Sequence, residues 1–364
     1  MLVKDLINHI QEIAPLNYAE DFDNVGLLVG DKNSHVTGVL VTLDTLETVV
    51  DEAITNNCNF ILSFHPIIFK GLKSITGKNY VERTVLKAIK NNIAIYAIHT
   101  ALDNHVNGVN AMICNQLKLN NQRILIPQQQ TIKKLVTYVP KNEAKQLRDA
   151  LFNAGAGAIG NYSNCSFNLN GFGTFMANDK ANPTLGTKGE THFEEEMQLS
   201  VIFAKHLESK ILKTLFETHS YEEVAYEVTT IENTNQNIGM GMIAELEQPQ
   251  SETDFLNYLK EKMNVSHIRH SQFLNKSIKK VAVLGGSGSF AIHAAKAAGA
   301  DVFVTSDLKY HDFFQAENNI LLVDIGHYES EQFTKNGLVA LLTKKIPNFA
   351  IILSNTNTNP VKYF

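Results

Sequence analysis

Three apolar runs in the first hundred residues each end in polar side chains. They are VLVTLD (Val39–Asp44), FILSFH (Phe60–His65) and IAIYAIHTALD (Ile93–Asp103). A helix-like stretch of mixed apolar and charged residues, TLETVVDEAITNN, separates the first two. Strands that are apolar throughout and alternate with helices are typical of parallel sheets covered on both faces. The pattern therefore predicts an α/β fold whose polar residues gather at the carboxyl ends of the strands.

A second set of runs repeats this pattern near the other end of the chain. VAVLGG (Val281–Gly286), VFVTSD (Val302–Asp307) and NILLVDIGHYESE (Asn319–Glu331) again have the character of strands. The offsets 281 − 39 = 242 and 307 − 65 = 242 are equal, so the first two strands of each set align without a gap. Two unrelated crossover units of one size would align equally well. The repeat nevertheless favours a core of two similar α/β halves with mostly parallel sheets.

The segment between these halves has a different order of elements. Polar stretches, PQQQT and ELEQPQSET, flank it, and its runs follow one another as strand, helix, strand, strand, helix and strand. This order is the split βαβ, or ferredoxin-like, pattern. We therefore predict an inserted α+β domain at residues 128–247. Residues 1–127 and 248–364 are predicted to form the two halves of one discontinuous core domain.

Composition and charge limit the classes of partner. The 364 residues are 44% hydrophobic and 19% charged, and 32 basic against 37 acidic residues leave a net charge of −5. There is no basic block and no apolar stretch of membrane-spanning length, so we expect neither nucleic acid nor a membrane as partner. The amphipathic start of the chain does not resemble a signal peptide, and the three cysteines form no C-x-x-C pair. These features predict a cytoplasmic protein with free thiols.

Imidazoles and carboxylates follow strands in both predicted halves. His65 precedes a proline, whose ring cannot continue a strand, so His65 is predicted to lie where a strand ends. His327 and Glu331 are four residues apart, which brings them to one face if a helix follows the strand. The same spacing relates His99 and Asp103. Each pair alone is equally consistent with a surface hydrogen bond or a capped loop.

The coincidence of these residues at one predicted sheet edge indicates a metal site. His65, Asp103, His327 and Glu331 would offer two imidazoles and two carboxylates. Mixed nitrogen and oxygen ligands suit Zn²⁺, with Mn²⁺ or Fe²⁺ as alternatives, and a carboxylate can bridge two ions. We therefore expect a catalytic centre for divalent metal ions at this edge.

A glycine-rich stretch and a lone histidine are further candidates. LGGSGSF follows a strand and matches G-x-G-x-x-A, a pattern that fits a dinucleotide, a substrate phosphate or a plain tight turn. We interpret it as a phosphate-facing loop made of Gly285, Gly286, Ser287, Gly288 and Ser289. His311 follows the next strand and is a candidate general acid or base, although a lone histidine is more often structural.

Six ordered motifs together resemble one known family. DFDNVGLLVGD, FHPIIF, HTALDNHVNGVN, VLGGSGSF, VTSDLKYHDF and DIGHYESE are similar to motifs of the GTP cyclohydrolase 1 type 2 homologues, the Nif-three-like dinuclear-metal hexameric proteins. ALFNAGAGAIGNYSNCSF and THSYEEVAYEV resemble the PII-like or CutA-like insert of the longer bacterial members. The resemblance covers nearly the whole chain. It implies two α/β halves, a PII/CutA-like insert and a ring-shaped homohexamer whose inserts associate as trimers.

The resemblance also implies roles for single residues. The metal ligands of the family fall on His65, Asp103, His327 and Glu331, with a carboxylate bridging two divalent ions. Zinc is the first expectation for these ions, and manganese or iron are the alternatives. Phe64 stands where the family usually has a further histidine, so one of the two metal sites is expected to be weaker.

The activity implied by the resemblance is hydrolytic opening of the guanine imidazole ring of GTP. His311 would then shuttle a proton, and the loop at 285–289 would hold phosphate. Two other classes of function stay open: a metal-dependent phosphohydrolase on another nucleotide, and a non-catalytic regulatory hexamer that binds a small ligand at its insert. The expected partner is a small molecule in each case, and the residues do not decide whether the chain is an enzyme.

Overall fold

The computed structural model describes residues 1–363, which form two compact units. One unit contains residues 1–127 and the chain from Gln236 onward, and the other contains Gln128–Asn235. The larger unit is the α/β core that the alternation of apolar strands and helices predicted. Within residues 1–363, the helices lack the length and apolar character that crossing a bilayer demands.

The N-terminal part of the larger unit alternates helices with short strands. Its elements are α1 (Val3–Gln11), β1 (Gly26–Val29), β2 (Val39–Thr42), α2 (Glu47–Thr55), β3 (Phe60–Ser63), α3 (Tyr80–Lys90), β4 (Ala94–Ala97), α4 (His99–Asp103), α5 (Val109–Gln116) and β5 (Asn120–Pro127). β2, β3 and β4 are buried along their whole length, which explains why their sequences show no polar alternation. α3 begins after Asn79, whose side chain accepts a hydrogen bond from the amide of Glu82.

The smaller unit is an antiparallel sheet with helices packed on it. Its elements are β6 (Ile132–Pro140), α6 (Ala144–Ala154), β7 (Phe167–Met176), β8 (Thr191–Ala204), α7 (Glu208–Thr218) and β9 (Tyr226–Ile231). The strands lie in the order β7-β8-β6-β9, and the helices bury Leu147, Leu151, Ile211 and Leu215 in the core of the unit. The succession of elements is the predicted one. The assignment of the unit to the ferredoxin-like or PII/CutA-like class stays a prediction.

The C-terminal part of the larger unit completes the core. Its elements are β10 (Gly239–Ser251), α8 (Glu252–Met263), β11 (Arg269–His270), β12 (Ser277–Ser287), α9 (Ile292–Ala297), β13 (Val302–Ser306), β14 (Leu321–Asp324), α10 (His327–Glu331), α11 (Thr334–Lys345) and β15 (Ile351–Leu353). α8 begins after Ser251, whose hydroxyl accepts a hydrogen bond from the amide of Asp254.

The two halves of the larger unit have similar sheets. The first has the order β1-β4-β3-β2-β15, with the last four strands parallel, and the second has the order β11-β14-β13-β12-β10-β5, with β14, β13 and β12 parallel. Val39 pairs with Phe60 in the first sheet, and Val281 pairs with Val302 in the second. The separations, 60 − 39 = 21 and 302 − 281 = 21, are equal, so the strand register repeats together with the sequence pattern.

Each half contributes a strand to the sheet of the other half. β15 from the C-terminal part pairs with β2, and β5 from the N-terminal part pairs with β10. Side chains of both sheets, among them Phe60, Leu62, Val283 and Val304, lie in one hydrophobic core. The exchange holds the two sets of parallel strands in one folding unit.

The second domain boundary differs from the predicted one. The sequence pattern placed it after Glu247, but β10 runs from Gly239 to Ser251 and pairs with β12 and β5 of the core. Met242 and Ala244 are buried there. Residues 236–247 therefore belong to the core, because core strands satisfy their backbone hydrogen-bonding groups.

One carboxylate on α2 anchors the segment that follows β15. Glu52 accepts hydrogen bonds of 2.6 Å from the hydroxyls of Ser354 and Thr356 and from the amide of Asn355. Burial alone would raise the pKa of Glu52, but these hydrogen bonds lower it below its ordinary value of 4.5. The anchored segment leads directly to residues near the candidate site described below.

Glu52→Ala is predicted to lower the free energy of unfolding at neutral pH by roughly 1–3 kcal/mol, because hydrogen bonds to a charged acceptor are lost. A carboxylate with a lowered pKa stabilises the folded state above its ordinary pKa, and this stabilisation is lost as the pH falls through the lowered value. The difference between wild type and variant should therefore shrink in acid, as measured by urea unfolding.

Glu47→Ala is the matched control on the same helix. The ion pair between Glu47 and Arg83 is exposed, so its loss should change the free energy of unfolding by at most about 1 kcal/mol. Equal losses in the two variants, or a difference for Glu52→Ala that persists in acid, would contradict the anchoring role.

Candidate metal centre

Polar side chains from both halves meet at the carboxyl ends of the parallel strands. His65 lies two residues after β3, and Asp103 is the last residue of α4, which follows β4. In the other half, Asp307 directly follows β13, while His327 and Glu331 are the first and last residues of α10, which follows β14. α10 is the helix that the four-residue spacing required, and it places His327 and Glu331 one turn apart on one face.

Three of the predicted ligands converge on one point. Nε2 of His65 is 3.2 Å from Oε2 of Glu331, and Nε2 of His327 is 3.3 Å from the same oxygen. One ligand atom from each residue lies within 4.8 Å of the other two, and no other group of three His, Cys, Asp or Glu residues in the described chain does so. Two imidazole nitrogens with one carboxylate oxygen are a donor set of catalytic zinc sites.

An aspartate carboxylate contacts Nδ1 of each imidazole, the ring nitrogen that does not face Glu331. Nδ1 of His65 is 2.8 Å from Oδ1 of Asp44, and Nδ1 of His327 is 2.7 Å from Oδ2 of Asp307. Because a carboxylate engages each Nδ1, Nε2 is the nitrogen left to face Glu331. Both imidazoles thus have the orientation and the outer hydrogen bond of metal-binding histidines.

The C-terminal segment supports the first of these pairs. The hydroxyl of Thr358 donates to Oδ2 of Asp44 at 2.6 Å, so both oxygens of that carboxylate are engaged. Thr358 is buried, and it follows the residues that Glu52 anchors. The orientation of His65 therefore depends on a residue that lies 358 − 65 = 293 positions later in the chain.

Asp307 supports the second pair from an uncommon backbone conformation. Its φ of 57° lies in the left-handed region, which aspartate adopts more readily than most residues. Its carboxylate accepts hydrogen bonds from the hydroxyl of Ser287 and from His327. Burial alone would raise the pKa of Asp307, but these hydrogen bonds lower it below its ordinary value. Asp307 is therefore ionised at neutral pH and selects the Nδ1–H form of His327.

The charge of Glu331 is balanced by the imidazoles beside it. Its side chain is only 3% exposed, and burial alone would raise its pKa, but the charges of His65 and His327 lower the pKa to about 2. Burial alone would lower the pKa values of the two histidines, but Glu331 and the flanking aspartates raise them to about 10 for His65 and about 9 for His327. A divalent cation can replace the protons that the imidazoles hold at neutral pH, since metal ligands bind in their deprotonated forms.

Several buried ligand atoms at this centre have no hydrogen-bond partner among the described residues, and a bound cation would satisfy them. Nε2 of His65, Oε2 of Glu331 and Oδ1 of Asp103 are buried, and within residues 1–363 none of them makes a hydrogen bond of normal geometry. Buried polar atoms in folded proteins are normally paired, so unsatisfied ligand atoms of this kind favour a bound group. The residues present fit a divalent cation.

Asp103 lies beside the three converging residues without being one of them. Burial and the negative charge of Glu331 raise the pKa of Asp103 well above its ordinary value, while the charges of His65 and His327 act in the opposite direction. Asp103 therefore shares their electrostatic environment. Its role as a metal ligand stays a prediction.

Three amides of the predicted phosphate-facing loop make hydrogen bonds within the protein, and the role of the loop in binding phosphate stays a prediction. The amides of Gly285 and Gly286 donate to the side chains of Asn110 and Ser330, and the amide of Gly288 donates to a backbone carbonyl of β13. Amides that are engaged inside the protein are not free to bind an anion. Since β12 continues through Ser287, the stretch is largely strand rather than loop.

The glycines instead allow close approach of neighbouring side chains. A Cβ atom at Gly286 would lie 2.5 Å from Oε1 of Glu331, and one at Gly288 would lie 2.0 Å from Oγ1 of Thr305. Gly286 also has a φ of 70°, which residues with side chains rarely adopt. Gly286 is therefore the residue that leaves room for the carboxylate of Glu331.

The contacts of His311 are with residues of its own helix. His311 belongs to an exposed 3-10 helix, Tyr310–Ala316, and its ring contacts Tyr310 and Phe314 at centroid distances of 5.2 and 6.1 Å. Within the described residues, none of its contacts involves His65, His327 or Glu331. The proton-shuttle role of His311 has no geometric support and stays a prediction.

Two residues that support the site, Asp44 and Thr358, are not among the predicted site residues. Asp44 ends the run VLVTLD, and its strand neighbours the strand of His65, so the rule that carboxyl ends of parallel strands meet at one edge could have found it. Thr358 lies in a polar segment with no recognisable pattern. Only the folded structure brings it to Asp44.

Comparison with known proteins gives a consistent result over the full chain. Residues 1–360 match the model of the Duf34/NIF3 (NGG1p interacting factor 3) family. A Bacillus subtilis (strain 168) protein named GTP cyclohydrolase 1 type 2 homolog is 38% identical over 366 residues, covering 99% of this chain and 98% of that protein. A protein of the same name from Staphylococcus aureus (strain COL) is 37% identical over 369 residues, covering all of both chains.

Solved structures show the same similarity. The crystal structure of a Bacillus cereus protein related to NIF3 matches with a TM-score of 0.88 and 36% identity, covering 100% of this chain and 99% of that one. Staphylococcus aureus protein SA1388 matches with a TM-score of 0.80 and 33% identity, again covering 100% and 99% of the two chains.

Gly286→Ala is predicted to weaken binding of Zn²⁺ by roughly 10- to 100-fold, because the added methyl group displaces the carboxylate of Glu331. Calorimetric titration of the metal-free chain with Zn²⁺ measures this affinity. Gly71→Ala is the matched control, since a Cβ atom at Gly71 has open space and Zn²⁺ affinity should not change. Equal affinities for the two variants would show that Glu331 does not take part in binding.

Proposed function

The chain belongs to the Duf34/NIF3 (NGG1p interacting factor 3) family, and from this premise we propose that it is a dinuclear-metal hydrolase that opens the imidazole ring of a guanine nucleotide. The observation that carries the proposal is the convergence of His65, His327 and Glu331, with a carboxylate behind each imidazole. The reaction class comes from the relatives, which are named GTP cyclohydrolase 1 type 2 homolog.

The chain's own residues have distinct parts in this proposal. His65, His327 and Glu331 would hold one divalent cation, and Asp103 would contribute to a second. Zinc suits these ligands, and manganese or iron are alternatives. A bound cation of this kind supplies Lewis acidity and lowers the pKa of water toward ~7. His311 has no part in the proposal, because no contact brings it to the site.

The residues near His99 favour a substrate with a planar ring. Phe69 is 47% exposed, and its ring centroid lies 6.4 Å from that of His99. The ring of His99 in turn lies 5.2 Å from the ring of His65. Aromatic faces beside a catalytic centre suit stacking of a nucleobase. This arrangement supports a nucleotide substrate. It is equally consistent with the alternative reaction, phosphate hydrolysis on another nucleotide.

Glu331→Gln is predicted to abolish turnover of GTP and to reduce bound metal, because it removes the charge shared by both imidazoles while preserving side-chain shape. Elemental analysis of the purified protein and a chromatographic assay of GTP consumption measure the two effects. Glu329→Gln is the matched control on the same helix, since Glu329 accepts a hydrogen bond from Asn359 instead. This control should retain both metal and activity.

Each outcome has a separate meaning. Bound metal with no consumption of GTP would refute the cyclohydrolase activity and leave the metal centre standing. A wild-type chain that binds no divalent cation would refute the metal centre itself. Consumption of GTP that survives Glu331→Gln would place the chemistry elsewhere in the molecule.

A cleft in the smaller unit favours a second candidate function, regulation by a small ligand. The cleft has a volume of about 610 Å³, and Leu169, Phe175 and Tyr221 are among the residues that line it. The hydroxyl of Tyr221 donates to Oε1 of Glu196 at 2.8 Å, which adds a polar group to a largely apolar surface. An apolar concavity with a few polar groups is typical of small-molecule sites. Ligand binding that persists in Glu331→Gln would support this regulatory function.

We also propose that the chain associates with copies of itself through the β7–β8 hairpin, as trimers of the insert within a homohexameric ring. Phe172, Met176 and Phe193 are 77%, 65% and 68% exposed. Phe172 pairs with Glu195, two positions from Phe193, so the two aromatic rings lie on one face of the hairpin. An exposed apolar patch of this kind is typical of a protein interface.

Phe172→Glu is predicted to reduce the mass of the assembly in solution, because a charge would be buried in an apolar interface. Light scattering coupled to size-exclusion chromatography measures the mass, and metal content should remain unchanged. Thr229→Glu on β9 introduces the same charge outside the patch and should leave the mass unaltered. An unaltered mass for Phe172→Glu would exclude this patch as the interface.

A further inference from the structure

The cleft in the smaller unit has charged side chains of one sign. Glu196, Glu222 and Glu223 are among the residues that line it, and the lining, which lies within residues 1–363, contains no lysine, arginine or histidine. A concave surface lined by carboxylates attracts cations and repels anions. The cleft is therefore suited to a positively charged ligand and unsuited to a nucleotide or a carboxylate.

Aromatic rings form part of the apolar walls of this cleft. Tyr138, Phe175 and Tyr221 line it, and the rings of Phe175 and Tyr221 have centroids 6.1 Å apart and planes inclined at 61°. The face of an aromatic ring attracts a cation, and the attraction grows as water is excluded. The same rings bury the hydrocarbon part of a ligand. Aromatic walls with carboxylates match an organic cation better than a hydrated metal ion.

Hydrogen bonds fix the position of Tyr221. Its hydroxyl donates to Oε1 of Glu196 at 2.8 Å, and its amide donates to Nδ1 of His219 at 3.1 Å. Because Nδ1 of His219 accepts this bond, Nε2 carries the proton and donates to the carbonyl oxygen of Tyr138 at 2.9 Å. Burial and the neighbouring charge of Glu196 raise the pKa of Tyr221 above its ordinary value of 10. Tyr221 is therefore neutral at physiological pH and leaves the carboxylate charge uncompensated.

One oxygen of Glu196 is left for a ligand. Oε1 accepts from Tyr221, whereas Oε2 makes no hydrogen bond within the described residues. A Cβ atom at Gly173 would lie 2.1 Å from Oε2, so glycine at this position lets the carboxylate lie against β7. Gly171 is paired directly with Glu196, and a Cβ atom at Gly171 would have no atom of the described chain within 4 Å. The space above Gly171 and beside Glu196 is therefore open.

The loop between β7 and β8 closes one side of this space. The amide of Asn182 donates to Oε2 of Glu222 at 2.7 Å, and the hydroxyl of Thr184 donates to the carbonyl oxygen of Ser220 at 2.8 Å. Leu185 of the same loop lines the cleft. These contacts hold the loop against the segment that follows α7, so the cleft is a formed concavity and not a flat sheet surface.

We propose that this cleft binds a small organic cation, an ammonium or guanidinium group joined to an apolar body. The inference rests on the second candidate function, regulation by a small ligand, and gives the chemical class of that ligand. The charged group would lie beside Glu196 and against the rings of Phe175 and Tyr221. The apolar body would fill the remaining space, since about 610 Å³ is within the range of small-molecule sites.

Three probes of one shape and different charge test this assignment. Phenethylamine is a cation at neutral pH, phenethyl alcohol is neutral and hydrocinnamate is an anion. Titrations of the full-length chain followed by saturation-transfer nuclear magnetic resonance measure the three dissociation constants. Phenethylamine should bind roughly tenfold more tightly than the alcohol, because it adds a charge-assisted hydrogen bond and a cation–π contact. Hydrocinnamate should not bind.

Two substitutions separate recognition of charge from filling of the cleft. Glu196→Gln keeps the shape of the side chain and should weaken binding of phenethylamine roughly tenfold, with no change for the alcohol. Gly171→Leu places a side chain in the open space and should weaken binding of both probes. Glu217→Gln is the matched control, because Glu217 lies on α7 in an exposed ion pair with Lys213, and it should change neither affinity.

The outcomes distinguish this inference from the proposed function. Equal affinities for phenethylamine and the alcohol, or no binding of any probe, would overturn the assignment of a cation. Unchanged binding in Gly171→Leu would overturn the assignment of the cleft. Glu331→Gln should bind phenethylamine as tightly as wild type, since Glu331 belongs to the other unit. Failure of metal binding or of GTP turnover would therefore leave this inference standing, and its own failure would leave the metal centre standing.

Discussion

The buried carboxylate of Glu331 is the constraint on which the candidate centre depends. Removing a charged group from water costs several kcal/mol unless opposite charges and hydrogen bonds compensate it. The compensation comes from His65 in one half of the core and His327 in the other, so neither half can form the site alone. A cation bound beside Glu331 would compensate its buried negative charge equally well. The arrangement is thus suited both to folding without metal and to binding it.

Strand exchange provides the rigidity that this arrangement needs. β15 completes the first sheet and β5 completes the second, so separating the halves would break hydrogen bonds in both sheets. The segment after β15 is held by Glu52 and delivers Thr358 to Asp44. Stability and site geometry are therefore linked, because the backbone that closes the first sheet also orients one of its imidazoles. Gly286 also links the fold to the geometry of the site, since the absence of its side chain makes room for Glu331.

The predictions from sequence succeeded and failed for identifiable reasons. Continuous apolar runs identified the parallel strands, since strands covered on both faces have no polar side. The predicted boundary after Glu247 is wrong because the polar residues there resemble a linker, although β10 continues through them. The phosphate-binding role of the glycine-rich stretch stays a prediction, because its spacing is compatible with a phosphate loop but several of its amides bind within the protein. The amides of Gly285 and Gly286 donate to Asn110 and Ser330, contacts that no local pattern could reveal.

The amino-acid sequence predicts which side chains end the strands and which pairs share a helical turn, because these properties depend on spacing along the chain. It therefore identified His65, Asp103, His327 and Glu331 as candidates and favoured two similar halves. The tertiary structure decided which of them converge and which carboxylate lies behind each imidazole. Such contacts follow from sheet order and strand exchange, which bring together residues hundreds of positions apart. Spacing along the chain carries no information about them.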